Sequence, residues 1–303
     1  MEAVIYKIAC DINNYLSSYI LIFLLIAVGL WYSIKTRFVQ VRCFGEGMKK
    51  VFGNLKLFGG KQESGMSSFQ ALATAIAAQV GTGNIAGCAS ALVSGGPGAV
   101  FWMWVSAFFG MATIYGEAVL AQKYKTVGED GAVSGGPIYY IKAAFKGKLG
   151  TFMAGFFAVA IILALGFMGN MVQSNSIGDA FFTAFGVPKI AVGIVVAAVS
   201  AFIFLGGVKR IAAITEKLVP IMAIFYICGA LIAIGMNAEN ILPAFQSIFV
   251  GAFSPEAVMG GAIGISIKEA VRFGVARGLF SNEAGMGSTP HAHAMAKVAK
   301  PQD

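Results

Sequence analysis

The sequence predicts an all-α integral membrane protein with about seven transmembrane spans, and three observations lead to this fold class. Hydrophobic residues make up 57% of its 303 residues and charged residues only 12%, whereas a typical soluble domain is about 25% charged. Several uncharged stretches reach the roughly 20 residues that a helix needs to cross the hydrocarbon layer. Basic residues concentrate in alternate loops between these stretches, as they do in multi-pass membrane proteins.

The uncharged stretches locate the spans in chain order. Spans are predicted over residues 15–34, about 67–93, about 99–124, 149–172, 190–207 and 218–236, and a last span, interrupted by glycines, lies within 257–297. The sequence SGGPG at residues 94–98 divides the second span from the third, because proline favours helix starts and glycine favours helix ends. We interpret a second SGGP, at residues 134–137, as another helix-entry turn, and residues 237–254 as a loop.

The basic residues predict the orientation. The loop of residues 35–64 alone contains Lys35, Arg37, Arg42, Lys49, Lys50, Lys56 and Lys61. Cytoplasmic loops are enriched in lysine and arginine, so the N-terminus is predicted outside and the C-terminus in the cytoplasm of a multi-pass cell-membrane protein. The net charge of +8 is thereby assigned to loops beside the lipid bilayer and not to nucleic-acid binding. An interfacial amphipathic helix is expected in this loop from Phe38, Val39, Val41, Phe44, Val51 and Phe52.

The stretch QVGTGNIAG at residues 79–87 matches the dinucleotide-binding pattern G-x-G-x-x-G/A on paper. That pattern needs a strand before it and an acidic residue about 20 positions later. Here the preceding residues are alanine-rich and belong to a predicted span, and the next acid is Glu117. The match is therefore interpreted as a coincidence.

A discontinuous transmembrane helix explains the same stretch better. Broken backbone survives at membrane depth only where it lines a polar cavity, because each unsatisfied peptide group in lipid costs several kcal/mol. The carbonyls freed at such a break can ligate a cation, and the freed N–H groups can hold a carboxylate. Close helix packing is the alternative; it explains Gly83 and Gly87 but not the polar Gln79, Thr82 and Asn84.

A second stretch, LFSNEAGMGSTP at residues 279–290, has the same character, with polar residues, two nearby glycines and a proline. The span count gives it the opposite direction across the membrane from the first stretch. Two interrupted helices of opposite direction indicate an inverted repeat with a binding site near the bilayer midplane.

The residues that carry these features resemble a known family. QALATAIAAQVGTGNIAG, GGPGAVFWMWVSAFFGMAT, GNMVQSNSI, GGVKRIA and ARGLFSNEAGMGS resemble the alanine or glycine:cation symporter family. The resemblance implies a leucine-transporter-like inverted-repeat helical bundle with discontinuous helices. It also implies import of a small neutral amino acid, alanine or glycine, coupled to sodium, with no enzymatic activity and no cofactor besides the coupling ion.

The resemblance implies a domain plan as well. The chain is expected to form a single membrane domain, with an extra span and basic loop in 1–66, a first five-helix repeat in 67–236 and the start of the second repeat in 257–303. The family continues with four more helices, so we expect that these residues alone do not catalyse coupled uptake.

The resemblance further implies the site residues. The substrate-binding set is Gln79, Thr82, Gly83, Asn84, Asn170, Gln173, Phe280, Ser281, Asn282, Glu283, Gly285 and Gly287, and the sodium-binding set is Val80, Gly81 and Asn84. Phe280 is expected to close over the ligand as part of a gate.

Several charged and polar residues keep more than one interpretation. Glu283 either contacts the ion or the substrate amine or pairs with Arg277, because a charge at the bilayer centre costs about 2.5–3.5 kcal/mol on insertion scales. For Glu117 a structural ion pair near Lys123 is favoured. A second set, Lys268, Glu269 and Arg272, is interpreted as a solvated or mutually paired face. No metal centre is predicted, since His291 and His293 point to different helix faces and Cys10, Cys43, Cys88 and Cys228 show no C-x-x-C spacing.

Competing functions also stay open. They are a passive channel or an amino-acid sensor on the same fold, a proton-coupled symporter, and a membrane oxidoreductase that uses the glycine loop. The sequence does not determine the preference among alanine, glycine and serine, the number of ions or the oligomeric state.

Overall fold

The computed structural model describes residues 2–53, 68–129, 131–253, 267–298 and 300–302, and these are almost entirely helical. The first part of the chain forms α1 (Glu2–Tyr15), a π-helical turn (Leu16–Ile20), α2 (Leu21–Lys35), α3 (Val39–Arg42), α4 (Phe44–Gly53), α5 (Ser68–Gln79), α6 (Thr82–Gly95) and α7 (Gly98–Tyr124). A short antiparallel hairpin, β1 (Thr126–Val127) and β2 (Val133–Ser134), follows.

The remaining helices begin after that hairpin. They are α8 (Pro137–Ala144), α9 (Gly147–Ile161), a π-helix (Ile162–Gly169), α10 (Asn170–Phe185), α11 (Lys189–Phe204), α12 (Gly207–Met236), a 3-10 turn (Ala238–Asn240), α13 (Ile241–Phe253), α14 (Ile267–Asn282) and α15 (Thr289–Ala294). Apart from the short hairpin, the described residues are consistent with the predicted all-α fold class.

Within the described residues, three helices are long and apolar enough to cross a bilayer: α7, the continuous helix Gly147–Phe185 and α12. The bent pair α5 and α6 makes a fourth if it is counted as one span. α2 and α11 are apolar but shorter, and they overlap the predicted spans 15–34 and 190–207. Part of the predicted last span, residues 257–266, lies outside the described residues.

The long apolar helices expose their large side chains. Only 6% of the most apolar part of Gly147–Phe185, and 6% of that of α12, is buried. Phe152, Phe156, Phe167 and Phe225 are all more than half exposed. A helix that is apolar all round yet unburied by protein needs lipid as its solvent, so these helices belong to a membrane-embedded protein.

The chain departs from the predicted boundaries in three places. α10 continues to Phe185, beyond the predicted end of the fourth span at residue 172, because a π-helix carries the chain from α9 without a break. α13 occupies most of a predicted loop; with 13 residues it is too short to register as a span. The small hairpin after α7 was also not predicted.

Both SGGP sequences act as helix-entry turns, as predicted. Gly96 takes a left-handed φ of 67° just before α7, and Gly136, with φ of 122°, precedes Pro137 in the first turn of α8. The predicted amphipathic segment forms α3 and α4, while Lys56 and Lys61 lie outside the described residues.

The chain divides into two compact units. The first contains residues 1–48, 84–116 and 228–285. Its buried apolar core consists of Ile22, Leu25, Val275 and Leu279. Glycines bring its helices close together, since a Cβ on Gly274 would lie 2.4 Å from the carbonyl oxygen of Ala99.

The second unit contains residues 49–83, 117–227 and 286–303. Its core is built from small side chains, because Ala71, Ala212 and Ala296 pack together with Met295 and Val298. α5 packs here against α15. Alanine contacts of this kind let helix backbones approach closely, as is usual in membrane proteins.

Candidate functional site

The first glycine stretch is a break between two helices. α5 ends at Gln79 and α6 begins at Thr82, so Val80 and Gly81 lie outside both helices. The pair is bent by 44° at this point. The backbone N–H of Val80 still donates to the carbonyl of Ile76 at 2.8 Å, which confines the break to very few residues.

Gln173 caps the start of α6. Its side-chain oxygen Oε1 accepts hydrogen bonds from the backbone N–H of Thr82, at 3.1 Å, and from the Thr82 hydroxyl, at 2.8 Å. The first N–H groups of any helix lack an intrahelical partner, and capping residues normally come from the helix's own chain neighbourhood. Here the cap comes from α10, 91 residues away in sequence.

Gly81 makes this approach possible. A Cβ at Gly81 would lie 2.0 Å from the Nε2 atom of Gln173, a distance that real Cβ atoms do not reach. The Gln173 amide therefore lies directly against the backbone of the break, with its oxygen on Thr82 and its nitrogen beside Gly81. The structure thus brings together Gly81, Thr82 and Gln173, which the sequence predicted as site residues.

The π-helix Ile162–Gly169 ends just before the turn that carries Gln173. Such wide turns often occur at functional sites, where they change the direction of the side chains that follow. Asn170, also predicted as a site residue, donates from Nδ2 to the carbonyl of Gly166 in its own helix at 2.9 Å and is exposed.

Gln79 forms a bond across to the second stretch. Its Nε2 atom donates to the hydroxyl of Thr289, the first residue of α15, at 2.8 Å. Thr289 is only 2% exposed. It was not among the predicted site residues, although its polar side chain in the second glycine stretch was the signal that could have indicated it.

The second stretch is also a break. α14 ends at Asn282 and α15 begins at Thr289. Three of the intervening residues have left-handed φ angles: Glu283 at 54°, Gly285 at 81° and Gly287 at 75°. Glycine adopts this conformation readily, but Glu283 is strained in it, and its side chain is 8% exposed. Both predicted interruptions are therefore present in the backbone.

A cavity of about 440 Å³ opens beside the end of α14 in the first unit. Its lining includes Ser281 and Asn282 together with Cys88, Met103 and Trp104. Within the described part of the chain, the Ser281 hydroxyl and the Asn282 amide nitrogen are buried without a hydrogen-bond partner. Phe280, by contrast, is 57% exposed, with the Arg277 guanidinium over its ring.

Gly287 packs in the second unit. A Cβ there would lie 2.7 Å from the Phe157 ring, and this ring stacks on His291 with centroids 6.4 Å apart. The described residues include no group of three His, Cys, Asp or Glu side chains that could hold a metal ion. The Nδ1 atom of His291 also lies 3.1 Å from the carbonyl oxygen of Ser288.

The charged face at the start of α14 is mutually paired, one of the two arrangements predicted for it. Arg272 lies 3.4 Å from the Glu269 carboxylate and also bonds to Asn14. The Arg272 guanidinium is thus paired with residues that lie outside both breaks.

Known protein families provide a separate line of evidence about this chain. The chain matches the sequence profile of the Sodium:alanine symporter family over residues 1–303. The chain belongs to this family. Its members are transporters, which confirms the prediction that the chain is not an enzyme.

Individual members of the sodium:alanine symporter family are similar over most of the chain. The Sodium/alanine symporter AgcS of Methanococcus maripaludis is 44% identical over 96% of this chain and 63% of its own length. The Amino-acid carrier protein AlsT of Bacillus subtilis is 45% identical over 93% of this chain and 58% of its own length. A Bacillus subtilis protein named "Probable sodium/glutamine symporter GlnT" is 39% identical over 99% and 61%. The chain thus spans less than two thirds of the length of these relatives.

Proposed function

We propose that this chain contributes the first broken helix and its partners to a sodium-coupled symporter of small neutral amino acids, alanine and glycine. One observation carries the proposal: the Gln173 amide lies across the break between α5 and α6 and bonds to Thr82 at the start of α6. In the experiments below, "complete transporter" means this chain together with any further segment that the protein has.

The start of α6 suits a carboxylate. The N-terminus of a helix carries about half a positive charge and N–H groups that point away from the helix. Thr82 begins this helix, and Gly83 and Asn84 follow in its first turn. The Gln173 nitrogen beside Gly81 adds N–H donors to the same place, so a carboxylate there receives side-chain and backbone hydrogen bonds together.

The end of α5 suits a small cation. The last carbonyls of a helix lack an intrahelical partner and carry partial negative charge. Unwound carbonyls of this kind coordinate sodium in transporters with broken helices. We assign the sodium contact to the carbonyls of Val80 and Gly81 and to the side chain of Asn84, and the ammonium contact to Gln79.

The remaining predicted residues belong to the second break. We assign substrate contacts to Ser281 and Asn282, whose buried polar atoms at the cavity favour a polar ligand group. Phe280, Glu283, Gly285, Gly287 and Asn170 stay in the proposed set on the family resemblance. The names of the relatives support alanine and sodium, and one relative is named for glutamine, so the side-chain selectivity needs its own measurement.

Transport by proteoliposomes tests the proposal. Complete transporter is reconstituted, and uptake of radiolabelled alanine is measured with an inward sodium gradient, with an inward proton gradient and with neither. Accumulation only with sodium supports the proposal. Accumulation driven by protons alone identifies a proton-coupled symporter, and equilibration without any gradient identifies a passive channel; both outcomes contradict it.

A further inference from the structure

Thr289 has a buried hydroxyl that forms a hydrogen bond to a residue beside the first break. It begins α15, directly after the second break, and bonds to Gln79, which ends α5 directly before the first break. The donor–acceptor distance is 2.8 Å, and Thr289 is 2% exposed. A buried polar group is normally hydrogen-bonded, because leaving it unpaired costs about 1–3 kcal/mol.

The helix that carries Thr289 is held in place at its other end. Gln122 donates to the carbonyls of His293 and Ala296, the latter at 2.9 Å, and Lys125 donates to the carbonyl of Ala296 at 3.0 Å. Partial burial lowers the pKa of Lys125 because desolvation disfavours its charged form. These contacts hold α15 in place. The Thr289 hydroxyl at its start therefore has a defined position for its bond to the Gln79 amide.

The amide of Gln79 has a defined orientation in this bond. Its nitrogen donates one hydrogen to Thr289, and its carbonyl oxygen Oε1 is then the acceptor that Gln79 offers to a ligand. Gln173 is held the opposite way: a backbone N–H can only donate, so its oxygen faces Thr82 and its nitrogen is the remaining group. The two amides beside the first break therefore offer an acceptor and a donor, which match the ammonium and carboxylate of an amino-acid zwitterion.

We infer that Thr289 is a positioning residue that holds the Gln79 amide with its oxygen toward the substrate ammonium. This inference rests on the proposed function. It also gives the second break a role in binding at the first one, because the hydroxyl that orients Gln79 belongs to α15. In this assignment Thr289 acts through Gln79 and does not itself contact substrate or ion.

Isosteric substitution tests the inference. Thr289→Val keeps the shape and removes the hydroxyl, and Thr289→Ser keeps the hydroxyl and removes a methyl group. Thr113→Val is the matched control, since Thr113 is equally buried, at 3% exposure, and belongs to the first unit. Each purified complete transporter is checked for monodispersity and melting temperature, and alanine affinity is then measured over a series of sodium concentrations.

The expected result is selective. Thr289→Val raises the alanine Kd and the sodium concentration for half-maximal binding by roughly 3- to 10-fold, the size of one neutral hydrogen bond. Thr289→Ser and Thr113→Val stay within about 2-fold, smaller than a typical hydrogen-bond contribution. In a double-mutant cycle, Gln79→Leu and Thr289→Val are non-additive, because both remove the same bond.

Two results overturn the inference on different grounds. If the unsubstituted transporter binds alanine in a sodium-dependent manner and Thr289→Val binds equally well, or if Thr289→Ser is impaired as strongly as Thr289→Val, the positioning role is wrong and the proposed function stands. If the unsubstituted transporter binds no alanine, the proposed function fails and the inference fails with it.

Discussion

The side-chain oxygen of Gln173 accepts two hydrogen bonds from Thr82, one from its backbone N–H and one from its hydroxyl. This contact joins the middle of a long apolar helix to the start of a half-helix. It satisfies a backbone donor at a place where an unpaired donor in lipid costs several kcal/mol. Under the proposed function, the Gln173 side chain contributes both to stability and to ligand binding, and substitutions can separate the two contributions.

Substitution of Gln173 can separate its two roles: its oxygen caps α6, and its nitrogen is the proposed donor to the substrate carboxylate. Gln173→Leu removes both, and we expect a lower melting temperature, from a cap worth about 1 kcal/mol, and loss of alanine binding. Gln173→Glu keeps an acceptor for Thr82 but places a negative charge where the carboxylate binds, so we expect a retained melting temperature without binding. Ser174→Ala is the control, because Ser174 is exposed and bonds within its own helix. Alanine binding by Gln173→Glu at unsubstituted affinity contradicts this assignment.

Substitution of Gly81 tests the close approach of the same amide. We expect Gly81→Ala to reduce alanine affinity by more than about 10-fold, or 1.4 kcal/mol, because its Cβ takes the position of the Gln173 nitrogen. Gly155→Ala is the control: a Cβ there meets nothing within 4 Å, and alanine in a helix is about 0.5–1 kcal/mol more stable than glycine. Equal binding by both variants, measured by equilibrium titration, contradicts the described contact.

The glycines of the second break are predicted to serve packing as well as backbone conformation. Gly287→Ala combines a left-handed φ of 75° with a clash against Phe157, whereas Gly131→Ala has a φ of 76° with nothing within 4 Å. The left-handed conformation alone costs about 1–2 kcal/mol. We therefore expect a clearly larger fall in melting temperature for Gly287→Ala. Similar falls for the two variants show that no clash exists.

The position of α5 on α12 is testable by cross-linking. The hydroxyl oxygens of Thr74 and Thr215 lie 3.2 Å apart, and Gln70 donates to Glu216 at 2.9 Å beside them. In a variant whose native cysteines are replaced by alanine, Thr74→Cys with Thr215→Cys is expected to form a disulfide on mild oxidation, detected by mass spectrometry.

A matched pair controls for random collision between cysteines. Thr74→Cys with Ser174→Cys places the second thiol on an exposed position of α10 and is expected to stay reduced. Failure of the first pair to cross-link, or equal cross-linking of both pairs, contradicts the described packing of α5.

The sequence was informative where local chemistry decides the structure. Glycines and polar residues in apolar surroundings indicated both breaks, and both are present between Gln79 and Thr82 and between Asn282 and Thr289. The SGGP turns were predictable for the same reason, since glycine and proline restrict backbone conformation locally.

Tertiary partners were not predictable in the same way. Gln173 reaches Thr82 across 91 residues and Gln79 reaches Thr289 across 210, and no local pattern encodes such distances. The extension of α10 to Phe185 depends on a π-helix that the apolar sequence does not distinguish from an α-helix. α13 was missed because its 13 residues fall below the length that identifies a span.

Equilibrium binding of radiolabelled alanine to the purified complete transporter, with sodium replaced by choline at constant ionic strength, tests the central claim most directly. The account predicts saturable binding that requires sodium and is lost in Gln173→Leu. Binding of equal affinity in choline, or binding that survives in Gln173→Leu, contradicts it.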